Sequence, residues 1–126
     1  MDTGQEYLLI VEDDPDILKL LDATLTFRGY RVITAQNGKD GLEAIRAKHP
    51  AIVITDIMMP YLTGLEIVHK VRKEMGLNTP IIIVSSIGLE KTVLEAFQLG
   101  ADDFITKPFS PNELSVRVKK LLLKSV

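Results

Sequence analysis

Tyr7-Leu8-Leu9-Ile10-Val11-Glu12-Asp13-Asp14-Pro15 is a run of five apolar residues that ends in three acids and a proline. Such a run has no polar face, so it suits a strand covered on both sides rather than a half-exposed one. The pattern returns along the chain. Ala51-Ile52-Val53-Ile54 passes through Thr55 into Asp56, and Ile81-Ile82-Ile83-Val84 ends at Ser85-Ser86. The shorter Phe104-Ile105 passes through Thr106 into Lys107-Pro108. Parallel sheets bind ligands beyond the carboxyl ends of their strands, where the strand order reverses. Acids, a hydroxyl and a lysine are therefore expected to converge on one edge of one sheet.

The segments between these runs read as helices. Asp14-Pro15 is an N-cap acid followed by proline in the first turn, and Ile17, Leu18, Leu21 and Leu25 form the stripe that follows, closed by Gly29. Tyr30 to Ala35 is a more polar strand, hence an edge. Asn37-Gly38 marks a turn, and Lys39 to Lys48 a short helix stopped by His49-Pro50. Leu65, Val68, Val71 and Met75 give a third stripe. The fourth, over Leu89 to Leu99, has Leu89, Val93, Ala96 and Phe97 on one side. Ser110-Pro111-Asn112-Glu113 is a capping box, and Leu114, Val118, Leu121 and Leu122 face the core from the last helix. The expectation is a doubly wound α/β domain over residues 1–126, with five parallel strands in flavodoxin-like order 2-1-3-4-5 and helices on both faces.

Composition narrows the function. At 126 residues, 46% apolar and 25% charged, the chain fits one globular domain. A net charge of −2 argues against bulk binding to nucleic acid or an anionic membrane. No apolar run is long enough to span a bilayer, and the polar opening, Met1 to Glu6, is unlike a secretory signal. With no cysteine there is no disulfide, thiol catalysis or cysteine zinc site. A cytoplasmic location is the expectation.

In the 2-1-3-4-5 order Glu12, Asp13 and Asp56 sit side by side at the switch point. Carboxylates this close repel unless one is protonated or a cation lies among them. Oxygen-only donors favour a hard ion, Mg²⁺ or Mn²⁺. Asp14 is set apart as a helix cap. Lys107 can pair with the acids and with phosphate oxygens. Ser85 places a hydroxyl between the strands carrying Asp56 and Lys107, a place Ser86 could take instead. His49 and His69 belong elsewhere, one at a helix end and one facing solvent, so neutral-pH acid–base chemistry has no histidine here.

These pieces resemble the receiver domain of two-component response regulators over nearly the whole chain. The matching stretches are Val11-Glu12-Asp13-Asp14-Pro15, Asp56-Ile57-Met58-Met59-Pro60 with Gly64, Ile83-Val84-Ser85, and Gly100-Ala101-Asp102-Asp103-Phe104 through Lys107-Pro108-Phe109, in the family's order and spacing. The resemblance implies that Asp56 accepts a phosphoryl group from a sensor histidine kinase or phosphotransfer protein. It implies Mg²⁺ held by Asp13, Asp56 and the Met58 backbone carbonyl, with Glu12 helping through a water. It further implies that Ser85 and Lys107 contact the phosphoryl oxygens, that Phe104 is the aromatic switch residue, and that Lys107-Pro108 is cis. The face made by the fourth helix, fifth strand and fifth helix would carry the output, to an attached domain or a partner.

Gly100 to Leu114 resembles receivers of winged-helix transcription factors, and Asp103 and Arg117 match residues of their dimer contact. Val93 and Leu99 stand where that subfamily has polar or charged residues. They form either an apolar docking patch or core. Arg117, Lys119, Lys120 and Lys124 read as a solvated face, not a nucleic-acid site. Met58 and Ile87, two residues beyond Asp56 and Ser85, are both apolar and offer an attacking water no guide, so slow aspartyl-phosphate hydrolysis is expected and turnover catalysis is not. The chain ends just after the last helix, as either a stand-alone regulator or part of a longer protein.

Haloacid-dehalogenase-type phosphatases also use a strand-end aspartate and Mg²⁺, but need a second acid where Met58 stands. A flavodoxin-like cofactor site needs a Ser/Thr/Gly loop after the first strand, where Glu12-Asp13-Asp14 has the wrong charge. A P-loop is absent. A receiver-shaped interaction module that is never phosphorylated is disfavoured by the intact acids, Ser85 and Lys107.

Overall fold

A computed structural model of the chain describes residues 6–124. Residues 1–5 of the polar opening, and residues 125–126 of the expected domain span, lie outside the described residues. Five strands alternate with five helices: β1 (Tyr7–Val11), α1 (Pro15–Phe27), β2 (Arg31–Ala35), α2 (Gly38–Lys48), β3 (Ile52–Thr55), α3 (Gly64–His69), β4 (Ile81–Ser85), α4 (Glu90–Leu99), β5 (Asp103–Thr106) and α5 (Pro111–Lys124). A π-helical turn, Lys70–Glu74, continues α3. All pairings are parallel and the order is β2-β1-β3-β4-β5, as the alternating pattern predicts.

The continuous apolar runs become the inner strands because both sheet faces are covered. Leu9, Val11, Val53, Ile81 and Ile83 pack in one core cluster with α2, the α3 segment and Ala96 of α4. Leu8, Ile10, Ile52, Ile54, Ile82 and Val84 point the other way, against α1 and α5. The edge strand β2 is only half-buried, as its polarity implies. Among the described residues no helix is long and apolar enough to cross a membrane.

Local chemistry sets the helix ends. Asp14 caps α1, its carboxylate accepting from the N–H of Asp16 at 2.9 Å and of Ile17 at 3.3 Å. Asn37 does the same for α2 through Asp40 N–H at 2.8 Å, so Asn37-Gly38 opens a helix instead of marking a turn. Tyr30 lies just outside β2 because its N–H donates back to Leu25 of the α1 terminus. Thr63 and Glu66 form a reciprocal capping box on α3. At α5 only half of the expected box forms. Ser110 Oγ accepts from the N–H of Asn112 and Glu113, while the Glu113 carboxylate accepts from Arg117 at 3.3 Å.

The α4 stripe differs from expectation. Ala96 is fully buried, but Leu89 is 68% and Phe97 42% exposed. Val93 and Leu99 are half-buried, and Leu99 packs on the core beside Phe104. Gly100 ends α4 in the left-handed region at φ 115°, where its N–H reaches the carbonyls of Ala96 and Phe97. Arg72 packs on it, donating to the Gly100 carbonyl, the Leu77 carbonyl and Asp102.

Candidate functional site

The register of the sheet builds the site. Val11 pairs with Thr55, so Glu12 and Asp56 leave neighbouring strands at the same level, tied by Asp56 N–H to the Val11 carbonyl at 3.1 Å. On the other side Ser85 pairs with Thr106, and Lys107 N–H donates to the Ser85 carbonyl at 2.8 Å. The cis peptide at Lys107-Pro108 follows at once. The ends of four strands thus deliver Glu12, Asp13, Asp56, Ser85 and Lys107 to the carboxyl edge.

The Lys107 ammonium spans two acids, donating to Glu12 Oε1 at 2.8 Å and Asp56 Oδ2 at 3.2 Å. Glu12 is 1% and Asp56 9% exposed, so both carboxylates are largely withdrawn from water. Asp56 Oδ1 accepts from Ile57 N–H at 2.7 Å, and Glu12 Oε2 from Asp14 N–H at 3.1 Å. Asp13 is exposed, yet one oxygen from each of Glu12, Asp13 and Asp56 lies within 4.8 Å of the others. A set of carboxylates with no nitrogen or sulfur suits a small hard cation, so these residues fit a divalent ion of the Mg²⁺ or Mn²⁺ type. A shallow cavity of about 550 Å³ opens over Asp56 and Lys107, lined also by Ser86, Ile17, Pro108 and Phe109.

Burial pushes the Glu12 carboxyl above its ordinary 4.5, against the lowering effect of Lys107 and the Asp14 N–H. Burial alone would pull Lys107 down, but its hydrogen bond to Glu12 and the charges of Asp56 and Glu12 outweigh it and hold the ammonium above its ordinary 10.5. Glu12 therefore binds a proton more tightly folded than unfolded. Its contribution to stability is full below 4.5 and is lost as pH rises through its raised folded value. A cation that needs the ionised form must displace that proton. Divalent-ion affinity, measured by titration in the metal-free protein, is expected to weaken as pH falls toward the ordinary 4.5 of Glu12; affinity unchanged over that fall would contradict the assignment.

Ser85 is fully buried, with its Oγ accepting from Ile87 N–H at 3.2 Å. Ser86 is exposed in the cavity wall. Phe104 is half-buried against the core, Met58 is 60% exposed, and His49 and His69 are both exposed, one at the C-cap of α2 and the other in the last turn of α3. Asp103 closes an ion pair with Arg117 of the same chain at 2.7 Å.

Gly64 is a part of the site that carries no chemistry of its own. Its N–H donates to the Ile57 carbonyl at 2.9 Å, and the Asp56 carbonyl lies against its Cα. A Cβ there would overlap the Asp56 carbonyl oxygen and stand 2.8 Å from its carbon and 3.0 Å from Ile57 Cα. Those are backbone atoms, so the strand end itself must move. Gly64→Ala is expected to cost at least about 3 kcal/mol, the upper range for overpacking. Chemical denaturation reads this directly, and an unchanged midpoint would refute it.

A family model described as the response regulator receiver domain matches residues 8–119. The chain is 38% identical over 125 residues to a probable transcriptional regulator, ycf27, of Pyropia yezoensis, covering 99% of this chain and 51% of that protein. It is 37% identical over 118 residues to the alkaline phosphatase synthesis transcriptional regulatory protein PhoP of Bacillus subtilis (strain 168), covering 94% and 49%. The chain thus spans about half the length of the curated relatives it matches. Among solved structures, the Francisella response regulator 1452 receiver domain superposes with a TM-score of 0.90 at 30% identity, covering 96% of this chain and 99% of that one. A BeF3-activated DrrB receiver domain gives 0.85 at 33%, covering 94% and 97%.

Proposed function

Because this chain belongs to the response regulator receiver domain family, a family of signalling modules and not of turnover enzymes, we propose that it takes a phosphoryl group onto Asp56 from a phosphohistidine of a sensor kinase or phosphotransfer protein. The observation that carries the reading is the Lys107 ammonium lying between Glu12 and Asp56, at 2.8 and 3.2 Å, with an oxygen of Asp13 within 4.8 Å of one from each of these acids.

The Asp56 carboxylate attacks phosphorus in line. A phosphorus–oxygen bond forms while the phosphorus–nitrogen bond of the donor breaks, and the imidazole leaves with the electron pair. Asp13, Asp56 and the Met58 carbonyl, with Glu12 behind them, would hold Mg²⁺ or Mn²⁺. When bound, the ion neutralises charge on the transferring group. Lys107 contributes a second, fixed positive charge on the same oxygens, so the chain works by positioning and electrostatics.

Phosphorylation then adds charge and three acceptor oxygens at the mouth of the site. The Ser85 hydroxyl turns toward them, giving up its contact with Ile87 N–H. Phe104 turns into the space released. The α4-β5-α5 face thereby shifts between two arrangements, and an output domain, a downstream protein or a second copy responds as far as it distinguishes them. Leu89, at the N-cap of α4, and Phe97, on the helix, are exposed and available to such a contact. We place this domain in the cytoplasm, acting through proteins and not on membrane or nucleic acid itself.

Incubation with acetyl phosphate and Mg²⁺, followed by intact mass and peptide fragmentation, tests the proposal. A phosphate-sized gain mapped to residue 56 is expected. No gain under any condition would leave a receiver-shaped interaction module instead. Met58→Asn gives the attacking water a hydrogen-bonding guide and should speed loss of phosphate about tenfold, the worth of one good hydrogen bond. Unchanged decay would contradict that role.

A further inference from the structure

The peptide between Asp56 and Ile57 is held at both ends. Its N–H donates to Asp56 Oδ1 at 2.7 Å, and its carbonyl accepts the Thr55 hydroxyl at 2.9 Å. The same carbonyl is pressed against Gly64 Cα, and the next one, of Ile57, accepts Gly64 N–H. Thr55 is 1% exposed. In that surrounding the plane cannot rotate without breaking one of these contacts.

Packing does not explain a hydroxyl there. Thr55 ends a strand whose other residues are Ile52, Val53 and Ile54, and valine would match its shape and strand preference. A buried hydroxyl is a cost unless bonded. Thr55 spends its proton on the carbonyl of the one residue whose carboxylate faces Lys107. The two ends of the plane have different consequences. With Oδ1 committed to Ile57 N–H, Oδ2 is the oxygen at 3.2 Å from the Lys107 ammonium. In-line transfer is sensitive to displacements well under about 1 Å.

We infer that Thr55 is a positioning residue: through the peptide plane of residues 56 and 57, its hydroxyl parks one oxygen of Asp56 on the backbone and presents the other to Lys107 and the donor. The inference rests on the phosphoacceptor reading of Asp56 and deepens it.

The test compares Thr55→Val, Thr55→Ala and Thr55→Ser in the full chain. It reads the ¹H–¹⁵N resonance of Ile57 and the rate of phosphorylation by acetyl phosphate at saturating Mg²⁺. A short bond to a carboxylate shifts an amide proton downfield. Valine and alanine should both move the Ile57 resonance upfield and slow phosphorylation about tenfold, while serine keeps both at the wild-type values. Valine keeps the shape but orphans the buried Asp56 carbonyl, so its melting temperature should fall whichever role the hydroxyl has, and the rate and the Ile57 resonance decide between them. A hydroxyl that merely satisfies a buried carbonyl would change melting alone. Wild-type rate and an unmoved Ile57 resonance in either hydroxyl-free variant would overturn the inference. If the wild-type protein takes no phosphate, the phosphoacceptor reading fails, and the Ile57 resonance still decides whether Thr55 orients the carboxylate.

Discussion

Asp56→Asn should take no phosphate at all, while melting within a few degrees of the wild-type protein. The two halves of this expectation have different causes. The amide oxygen can keep the 2.7 Å bond from Ile57 N–H, so the strand end holds its shape. The amide nitrogen then replaces Oδ2 and meets the Lys107 ammonium donor to donor at about the former 3.2 Å, which is unfavourable. Against that, one of three crowded carboxylates is gone and the repulsion among them falls. The opposing changes leave stability little altered. Chemistry has no such compensation, because an amide oxygen is not a nucleophile toward phosphorus under these conditions. Cation affinity should also drop at least tenfold, since a ligand is lost and even outer partners of a metal site are worth that much. Intact mass after acetyl phosphate treatment, together with a metal titration, gives both readings. A phosphate-sized gain in this variant would move the acceptor elsewhere.

The parts of the fold that sequence discloses are those where burial leaves a strong mark. Strands β1, β3 and β4 are covered on both faces, and their near-unbroken apolar runs say so. Asp14-Pro15 identifies the start of α1 because the acid and the ring each do one thing there. Helix α4 is legible in its span but not in its buried face, for the opposite reason. It buries little more than Ala96, so the large side chains that suggest an inward stripe, Leu89 and Phe97, face outward. The Thr63-Gly64-Leu65-Glu66 box is written plainly in the chain, but the Met59-Pro60 loop before it draws attention away from a helix start. Asn37 reads as a turn former and serves as a cap, a choice that turns on one bond to Asp40.

The site divides the same way. Strand-end acids and a lysine are visible because topology alone gathers them at the switch point. Residues that act through backbone groups are not. At the other end of the sheet from the site, Arg72 likewise reaches two carbonyls and Asp102, up to 30 residues away, and no spacing encodes that. Thr55 passes for an ordinary β-branched strand residue until its proton is traced to the Asp56 carbonyl. Asp103 and Arg117, fourteen positions apart, form an ion pair at 2.7 Å that no helical or strand spacing announces.

Removing Lys107 should separate the cost of holding the acids together from the benefit at the phosphoryl group. In Lys107→Ala the buried Glu12 loses its 2.8 Å partner and Asp56 its 3.2 Å partner. Withdrawing one member of a buried ion pair is far worse than never having had the pair. The partly open setting of Lys107, 13% exposed, moderates the loss to about 2 kcal/mol. Protonation of Glu12 relieves it, so the variant should gain stability on acidification through the range above 4.5. A divalent ion relieves it too, and meets no competing ammonium, so cation affinity should rise. Phosphorylation should nonetheless fall by about 10²–10³, the usual loss for one fixed donor to developing charge. Tighter metal with slower transfer is the distinguishing pair, because general damage to the pocket would weaken both. Lys107→Arg sharpens the test. Its charge can restore stability, but a planar fork cannot occupy the point between Glu12 Oε1 and Asp56 Oδ2, so the rate should stay low. Near-normal transfer in Lys107→Ala would mean that the ammonium only holds the acids and never acts on phosphate.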